Sequence, residues 1–136
     1  MEGGVEDGKG NATFYEEGTW TPGITIGGSE PSYSDQQGKY VYVGNLTYVE
    51  ARIALSSKDS LTGKCYIIGW PRTTGIGRNA AGVWYITGIN ISNPIHIRLG
   101  LSSSSVRKRV SNGLSDLDSS DFTDGFTIEF GGWYLK

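Results

Sequence analysis

Two apolar-rich runs within residues 38–55, GKYVYVGNLTYVEARIAL, flank a Gly-Asn pair at positions 44 and 45. A two-residue Gly-Asn connection between β-branched and aromatic residues predicts a β-hairpin with a primed turn. Closing the turn there places Val43 opposite Leu46 and Lys39 opposite Glu50, because directly opposed residues of an antiparallel pair share a face. The second face of the hairpin is almost wholly apolar and is predicted to face the core; it carries Tyr40, Tyr42, Thr47, Val49, Ala51, Ile53 and Leu55.

The first face of the same hairpin changes from apolar to charged along its length. It carries, in order from the turn, Val43, Leu46, Val41, Tyr48, Lys39, Glu50 and Arg52. A face that starts apolar and ends charged is typical of partial cover, which in a small domain is often provided by another subunit. We therefore predict a subunit interface at the apolar end. At the charged end, Lys39 and Glu50 are placed to form a cross-strand ion pair.

The rest of the chain alternates short apolar runs with turn residues. Pro22 cannot donate to a ladder, so residues 19–26 are predicted to form an edge strand or a bulged one. Residues 27–37 and the acidic residues 111–125 have the composition of loops. Further strands are predicted at residues 64–69, 83–91, 95–101, 105–111 and 126–136, the last with a bulge at Gly131 and Gly132. No window shows a convincing helical period, and the short strands predict an all-β fold, a jelly-roll-like antiparallel β-sandwich.

Length and charge narrow the classes of protein that fit this pattern. The 136 residues suit one β-sandwich domain over residues 15–136, preceded by a flexible leader or linker end at residues 1–14. The net charge of −2 and the pI near 5.3 argue against a nucleic-acid partner. The basic run at residues 107–109 is predicted to be a solvated face or a protected sheet edge. No apolar run approaches the ~20 residues of a membrane helix, so no membrane insertion is expected.

Candidate catalytic and metal-binding groups are few. The only histidine, His96, alternates with isoleucines along a predicted strand, which is typical of a surface residue rather than of the base in a hydrolase triad. Glycosidases need two carboxylates; Asp35, Glu50, Glu129 and the acidic loop are candidates, but their spacing singles out no pair. Calcium could be held by four aspartates, although the EF-hand order fails: Asp116, Asp118, Asp121 and Asp124. We expect no catalytic residue, no metal site and no cofactor.

The aromatic residues favour a sugar-binding surface. The chain has four Trp and eight Tyr, and an aromatic ring can pack on the apolar face of a pyranose while polar neighbours bond its hydroxyls. The irregular residues 70–84 are predicted to bind glycan, with Trp70 or Trp84 as the stacking ring and Arg72, Arg78 and Asn79 as polar forks. An arginine fork suits the carboxylates of acidic glycans. The alternative is that both tryptophans pack inside the assembly.

A further hypothesis concerns the Trp70–Pro71 bond. A tight turn after a strand, with an aromatic residue before proline, is a place where a cis peptide is used. We therefore predict a cis bond there.

Three motifs occur in a fixed order in the first half of the chain: YEEGTWTP at residues 15–22, Tyr33-Ser34, and GKYVYVGNL at residues 38–46. Together they resemble the C-terminal domains of tailed-bacteriophage tail fibres and tailspikes, over residues 15–74. Gly69-Trp70-Pro71 stands where that group has a Gly-x-Pro turn, although Trp70 and Arg72 depart from its pattern. The resemblance implies a homotrimeric, jelly-roll-like tip in the virion tail, made in the host cytoplasm.

The expected function follows from this resemblance and from the aromatic surface. It is that of a trimerising receptor-binding tip without enzymatic activity, which recognises a bacterial surface polysaccharide or lipopolysaccharide. The expected trimer interface comprises Val41, Val43, Leu46 and Tyr48. Two alternatives remain open: a purely structural trimerisation cap that binds no ligand, and a glycan-cleaving hydrolase.

Overall fold

The computed structural model describes residues 3–6, 12–71, 79–92, 95–99, 104–110 and 113–135. These ranges form strands almost throughout, with a single 3-10 turn at Ser119–Asp121. The strands are β1 (Gly3–Glu6), β2 (Ala12–Thr19), β3 (Gly23–Ile26), β4 (Ser32–Val43), β5 (Leu46–Ser57), β6 (Cys65–Ile68), β7 (Asn79–Ile89), β8 (Ile95–Leu99), β9 (Ser104–Val110), β10 (Gly113–Asp116) and β11 (Phe122–Leu135). No helix in these ranges is long and apolar enough to cross a membrane.

The strands form two antiparallel sheets that share β7. The first sheet has the order β1-β2-β4-β5-β11-β7, and the second has the order β7-β8-β9-β6-β3 with β10 paired to β9. Residues 82–89 of β7 pair with β11, whereas residues 79–81 pair with β8, so this strand passes from one sheet to the other. The predicted antiparallel β-sandwich is confirmed. Its trimeric state stays a prediction.

The core lies between the two sheets and draws on both. The second sheet contributes Ile24, Ile26, Cys65, Ile67 and Val106, and the first contributes Val49, Ile53, Leu55, Phe126, Ile128 and Phe130; each is at most 3% exposed. Burying an aliphatic or aromatic side chain of this size contributes roughly 1.5–3 kcal/mol before conformational entropy is counted. This single cluster therefore joins the sheets.

The hairpin of β4 and β5 has the register that the sequence predicts. Val43 pairs with Leu46 and Lys39 pairs with Glu50. Gly44 has a φ of 58°, which a type II′ turn requires at its first central residue and which glycine adopts without steric cost. The predicted core face is also confirmed, since six of its members are at most 8% exposed: Tyr42, Thr47, Val49, Ala51, Ile53 and Leu55.

The predicted edge strand at residues 19–26 is two strands in different sheets. β2 ends at Thr19, and β3 begins at Gly23 after Pro22 has interrupted the ladder. Side chains of β4 guide the crossing: Gln36 Nε2 donates to Pro22 O at 2.9 Å, and Tyr33 Oη accepts from Ile24 N at 2.9 Å. Part of the predicted leader also forms a strand, since β1 pairs with β2. The boundary between leader and domain stays a prediction.

Two predicted loops contain strands. β4 begins at Ser32, inside the predicted loop 27–37, because β5 continues to Ser57 and supplies ladder partners across two register shifts. The acidic segment 111–125 contains β10 and the start of β11. The predicted bulge at Gly131 and Gly132 is also displaced: both residues pair in register with β5, and the irregularity lies in the pairing with β7, between Glu129 and Phe130.

Opposite charges explain why the acidic segment is ordered as strands. Asp116 lies 3.1 Å from Lys64 Nζ and 3.8 Å from Arg107 Nε, and Asp121 Oδ2 lies 2.7 Å from Lys108 Nζ. The side chains of Arg107 and Lys108 are only 22% and 21% exposed, and β9 lies between two other strands. The interpretation of this basic run as a solvated face or sheet edge is therefore wrong for these two residues.

Candidate binding face

The face of β4, β5 and β11 that points away from the core is called here the outer face. Cross-strand pairing arranges it in rows, because residues in register on neighbouring strands share a face. The rows are Val43–Leu46, Val41–Tyr48–Trp133, Lys39–Glu50–Gly131 and Gln37–Arg52–Glu129. The first two rows form an apolar end, and the last two form a polar end.

The apolar end brings together the four residues that the sequence predicts as a trimer interface. Val41, Val43, Leu46 and Tyr48 are all half-buried within the single chain. Trp133, which the sequence reasoning missed, lies beside them with its ring centroid 4.9 Å from that of Tyr48 and 51% of its surface exposed. Strict alternation from Phe130 onward would have placed it on this face. The interface role of these residues stays a prediction.

The polar end contains a groove of about 310 Å³. Its walls are the side chains of Gln37, Lys39, Glu50, Arg52, Trp84 and Glu129, and Gly38 and Ala51 complete the lining. A volume of this order is at the lower end of the range for small-molecule sites, which is roughly 300–1,000 Å³. The groove is therefore large enough for a small polar ligand.

Trp84 reaches this groove because β7 has one extra residue where it pairs with β11. Glu129 pairs with Tyr85 and Phe130 pairs with Val83, which leaves Trp84 between them as the bulged residue. Its ring lies over Gly131, where an added Cβ would sit 2.3 Å from Trp84 Cη2. A glycine at this position is thus required for the ring to cover the strand. Trp84 remains 55% exposed.

Charged side chains hold one another in place at the polar end. Arg52 donates through Nε to Asp35 Oδ2 at 3.0 Å and through Nη1 to Glu129 Oε2. The hydrogen bond to Glu129, followed by that to Asp35, raises the pKa of the Arg52 guanidinium, so it stays charged. Two of its donors are therefore already committed to carboxylates.

Glu50 and Lys39 are directly opposed but do not form the predicted ion pair. Glu50 Oε2 instead accepts from Tyr48 Oη at 3.2 Å. Burial, followed by the nearby Glu50 charge, raises the pKa of the Tyr48 hydroxyl. In the part of the chain that the structure describes, Lys39 Nζ and Trp84 Nε1 have no hydrogen-bond or ion-pair partner. These groups remain available to a ligand.

Of the predicted glycan-binding residues, the structure describes the side chains of the two tryptophans, and these have different surroundings. Trp70 stacks on Trp20 with centroids 5.0 Å apart and meets the edges of Phe130 and Tyr134, and its Nε1 donates to Ile67 O at 3.2 Å. It therefore packs against the core of the single chain, and its packing inside an assembly stays a prediction. Trp84, in contrast, lines the groove.

The side chains of the other three members of the set are not among those that the structure describes. Arg72 and Arg78 lie outside the described residues. Asn79 begins β7 in register with Leu99, and its side chain also lies outside the description. The glycan-binding role of all five predicted residues stays a prediction. The peptide bonds between described residues are all trans, so the prediction of a cis Trp70–Pro71 bond is wrong.

The aspartates considered for calcium have partners within the protein. Asp118 accepts from Ser120 N at 3.2 Å at the start of the 3-10 turn, and Asp124 Oδ1 accepts from Lys58 N at 2.9 Å. Asp121 accepts from Lys108 and from Asp118 N. Among the described residues, no group of three or more His, Cys, Asp or Glu side chains could hold a metal ion.

Comparison with known proteins gives a likeness in structure only. No protein-family model matches the chain, and no curated protein is similar to it in sequence. Among solved structures, it is similar to the crystal structure of the Dettilon tailspike protein, with a TM-score of 0.73 and 17% identity. The similarity covers 89% of this chain and 24% of that one, so the chain spans about a quarter of the tailspike. At this identity the likeness shows a shared fold: this β-sandwich is tailspike-like.

Proposed function

We propose that the chain is a trimerising, receptor-binding domain of a phage tail fibre or tailspike, and that it contacts a bacterial surface glycan. The fold likeness to a tailspike and the sequence motifs of residues 15–46 support the assignment to a phage tail protein. The observation that carries the proposal is the outer face, which combines an apolar end with a polar groove beside an exposed ring. One end suits self-assembly, and the other suits ligand binding.

Assembly is supported by the apolar end. Trp133 keeps 51% of its surface exposed next to Tyr48, although the ring pair already excludes some water. Removing apolar surface from water contributes roughly 25 cal/mol per Å², and aromatic residues are enriched among interface hot spots. A neighbouring copy that covers this end would bury these rings without any change to the sandwich.

Glycan binding is supported by the polar end. An exposed indole can stack on the apolar face of a sugar, and carboxylate, ammonium and amide groups around it can bond the hydroxyls. The groove offers this arrangement with Trp84, Glu50 and Lys39. A purely structural cap would need the apolar end alone and would leave this groove without a role.

The matched variants Trp133→Ala and Trp84→Ala test the two halves of the proposal separately. Mass by light scattering across a dilution series should give a trimer for the wild type. Trp133→Ala should shift the dissociation midpoint by about tenfold or more, as expected for loss of a hot-spot residue. Trp84→Ala should remain trimeric and lose binding on an array of bacterial surface polysaccharides.

Three outcomes decide between the alternatives. A monomeric wild type at micromolar concentration would contradict the trimer. A trimer that binds no polysaccharide on the array would identify a structural cap. Release of reducing ends from a bound polysaccharide would identify a hydrolase, for which Glu50 and Glu129 are the carboxylates that line the groove.

A further inference from the structure

We propose that the groove beside Trp84 selects a neutral saccharide of one or two units over an acidic one. This inference rests on the glycan binding proposed above and goes further by naming the ligand class and its position. It also differs from the sequence-based expectation, in which the arginines of residues 70–84 would bind an acidic glycan. Here the site is the outer face of the sheet.

The balance of charge at the groove disfavours an anionic ligand. Three carboxylates, those of Asp35, Glu50 and Glu129, accompany two cations, Lys39 and Arg52. Arg52 directs Nε and Nη1 to Asp35 and Glu129, so it does not present an open two-donor fork to a ligand carboxylate. A uronic or sialic acid in the groove would meet the Glu50 carboxylate, and Lys39 is the one cation of the described lining that is free to compensate.

The groups of the groove lining that can still form hydrogen bonds match sugar hydroxyls. Among the described residues, Glu50 accepts one side-chain hydrogen bond, from Tyr48 Oη, and a carboxylate can accept several more. Lys39 Nζ and Trp84 Nε1 are donors without partners among the described residues. A hydroxyl both donates and accepts, so neighbouring hydroxyls of one sugar can bond the carboxylate and the ammonium together.

The shape of the site limits the ligand to a small unit that stacks. Trp84 lies on the strand at Gly131, which leaves 55% of the side chain exposed beside the groove. The volume of about 310 Å³ is at the lower end of the range for ligand sites. One sugar ring on the indole, with space for a neighbour, is the occupant that this geometry fits.

Titration of the intact trimer monitored by Trp fluorescence and by NMR tests the inference. The probes are neutral methyl hexopyranosides and their disaccharides on one side, and glucuronic and N-acetylneuraminic acid on the other. The wild type should bind a neutral probe at least fivefold more tightly than either acid. Trp84→Ala should weaken neutral binding at least tenfold, whereas Trp84→Phe, which keeps a ring, should lose less.

Glu50→Gln is the decisive variant for charge. It should weaken neutral binding by severalfold and narrow the difference between neutral and acidic probes, because the amide cannot form a charge-assisted hydrogen bond. Phe14→Ala is the matched control, since Phe14 is 44% exposed and lies on the other face of the first sheet. It should leave all affinities unchanged.

The outcomes distinguish a wrong ligand class from an absence of glycan binding. If the acids bind more tightly than the neutral probes, or if Glu50→Gln has no effect on either class, the ligand class is wrong while glycan binding stands. If the wild type binds neither class, glycan binding itself fails, and this inference fails with it. Intact trimer mass and an unchanged unfolding transition for each variant exclude misfolding as the cause.

Discussion

The two faces of β5 differ in how completely the single chain uses them. Inward-pointing residues are at most 7% exposed: Thr47, Val49, Ala51, Ile53 and Leu55. The four outward-pointing residues nearest the turn remain half-buried: Leu46, Tyr48, Glu50 and Arg52. Alternation along one strand thus separates a face that the fold completes from a face that it leaves available. The inward face therefore stabilises the fold of the single chain, and we expect the outward face to contact a ligand or another subunit.

The difference extends to the neighbouring strand β11. Phe130 points inward and is fully buried, whereas Trp133 points outward and is 51% exposed. Both are large aromatic residues, and they lie three positions apart on one strand. Substitution of each by alanine therefore tests the difference between the inward and outward faces at nearly the same place in the backbone.

Phe130→Ala should give the largest loss of stability. Removing a buried phenylalanine leaves a cavity beside Trp70 and costs about 3–5 kcal/mol of unfolding free energy. Trp133→Ala, measured in dilute protein, should cost about 1 kcal/mol or less, as at other surface sites. Urea unfolding of both variants provides the measurement. An equal loss for the two would mean that the outer face belongs to the core of a single chain.

The sequence predicted the inner face well for a physical reason. Residues 47–53 alternate between buried and half-buried positions, and the Gly44–Asn45 turn fixes the register, so a shift of one residue would have turned their buried side chains outward. The apolar end of the outer face could also be predicted from the same register. Only Trp133 was missed, because a bulge was expected at Gly131 and Gly132, where the structure keeps the pairing with β5 regular.

The groove could not be predicted, because it depends on contacts between distant parts of the chain. Trp84 reaches the outer face through a bulge opposite Glu129 and Phe130, and nothing local to residue 84 indicates that bulge. Trp70 was one of two candidates for the stacking ring, with packing inside the assembly as the alternative, and its ring instead lies against Trp20 and Phe130 of the same chain. The acidic segment was interpreted as a loop because its cationic partners, Lys64 and Lys108, lie elsewhere in the sequence.

Thr47→Val should change stability in the opposite direction, because it removes an unsatisfied polar group from the inner face. Thr47 is fully buried, and among the described contacts its hydroxyl has no hydrogen-bond partner. Valine has nearly the same shape and no polar atom to desolvate, so the unfolding free energy should rise by about 1 kcal/mol. Thermal and urea unfolding measure the gain. Thr47→Ser, which keeps the hydroxyl and loses a methyl group, should be less stable than the wild type; a loss for valine as well would mean that the hydroxyl has a partner.

Tyr33→Phe should have the smallest effect and should appear mainly in alkaline solution. Tyr33 pairs with Leu55 at the end of the inner face, where its hydroxyl accepts from Ile24 N at 2.9 Å and can donate to Ile24 O at 3.0 Å. Burial is the main cause that raises its pKa from 10.0 to about 12. The folded state therefore holds this proton more tightly than the unfolded state does. The stability that results is fully present below pH 10 and is lost as the pH rises towards about 12.

Phenylalanine cannot titrate, so the fall in unfolding free energy above pH 10 should be shallower for Tyr33→Phe than for the wild type. Loss of the hydrogen bonds to Ile24 should make the variant slightly less stable at neutral pH, and the two curves should converge as the pH rises. The buried thiol of Cys65, whose pKa burial raises to about 12, adds to the alkaline loss in both proteins and cancels in the difference. Because the Tyr33 hydroxyl is partly exposed, solvent screening keeps the difference small. Urea unfolding at a series of pH values measures it, and parallel curves for the two proteins would show that Tyr33 does not contribute to the pH dependence.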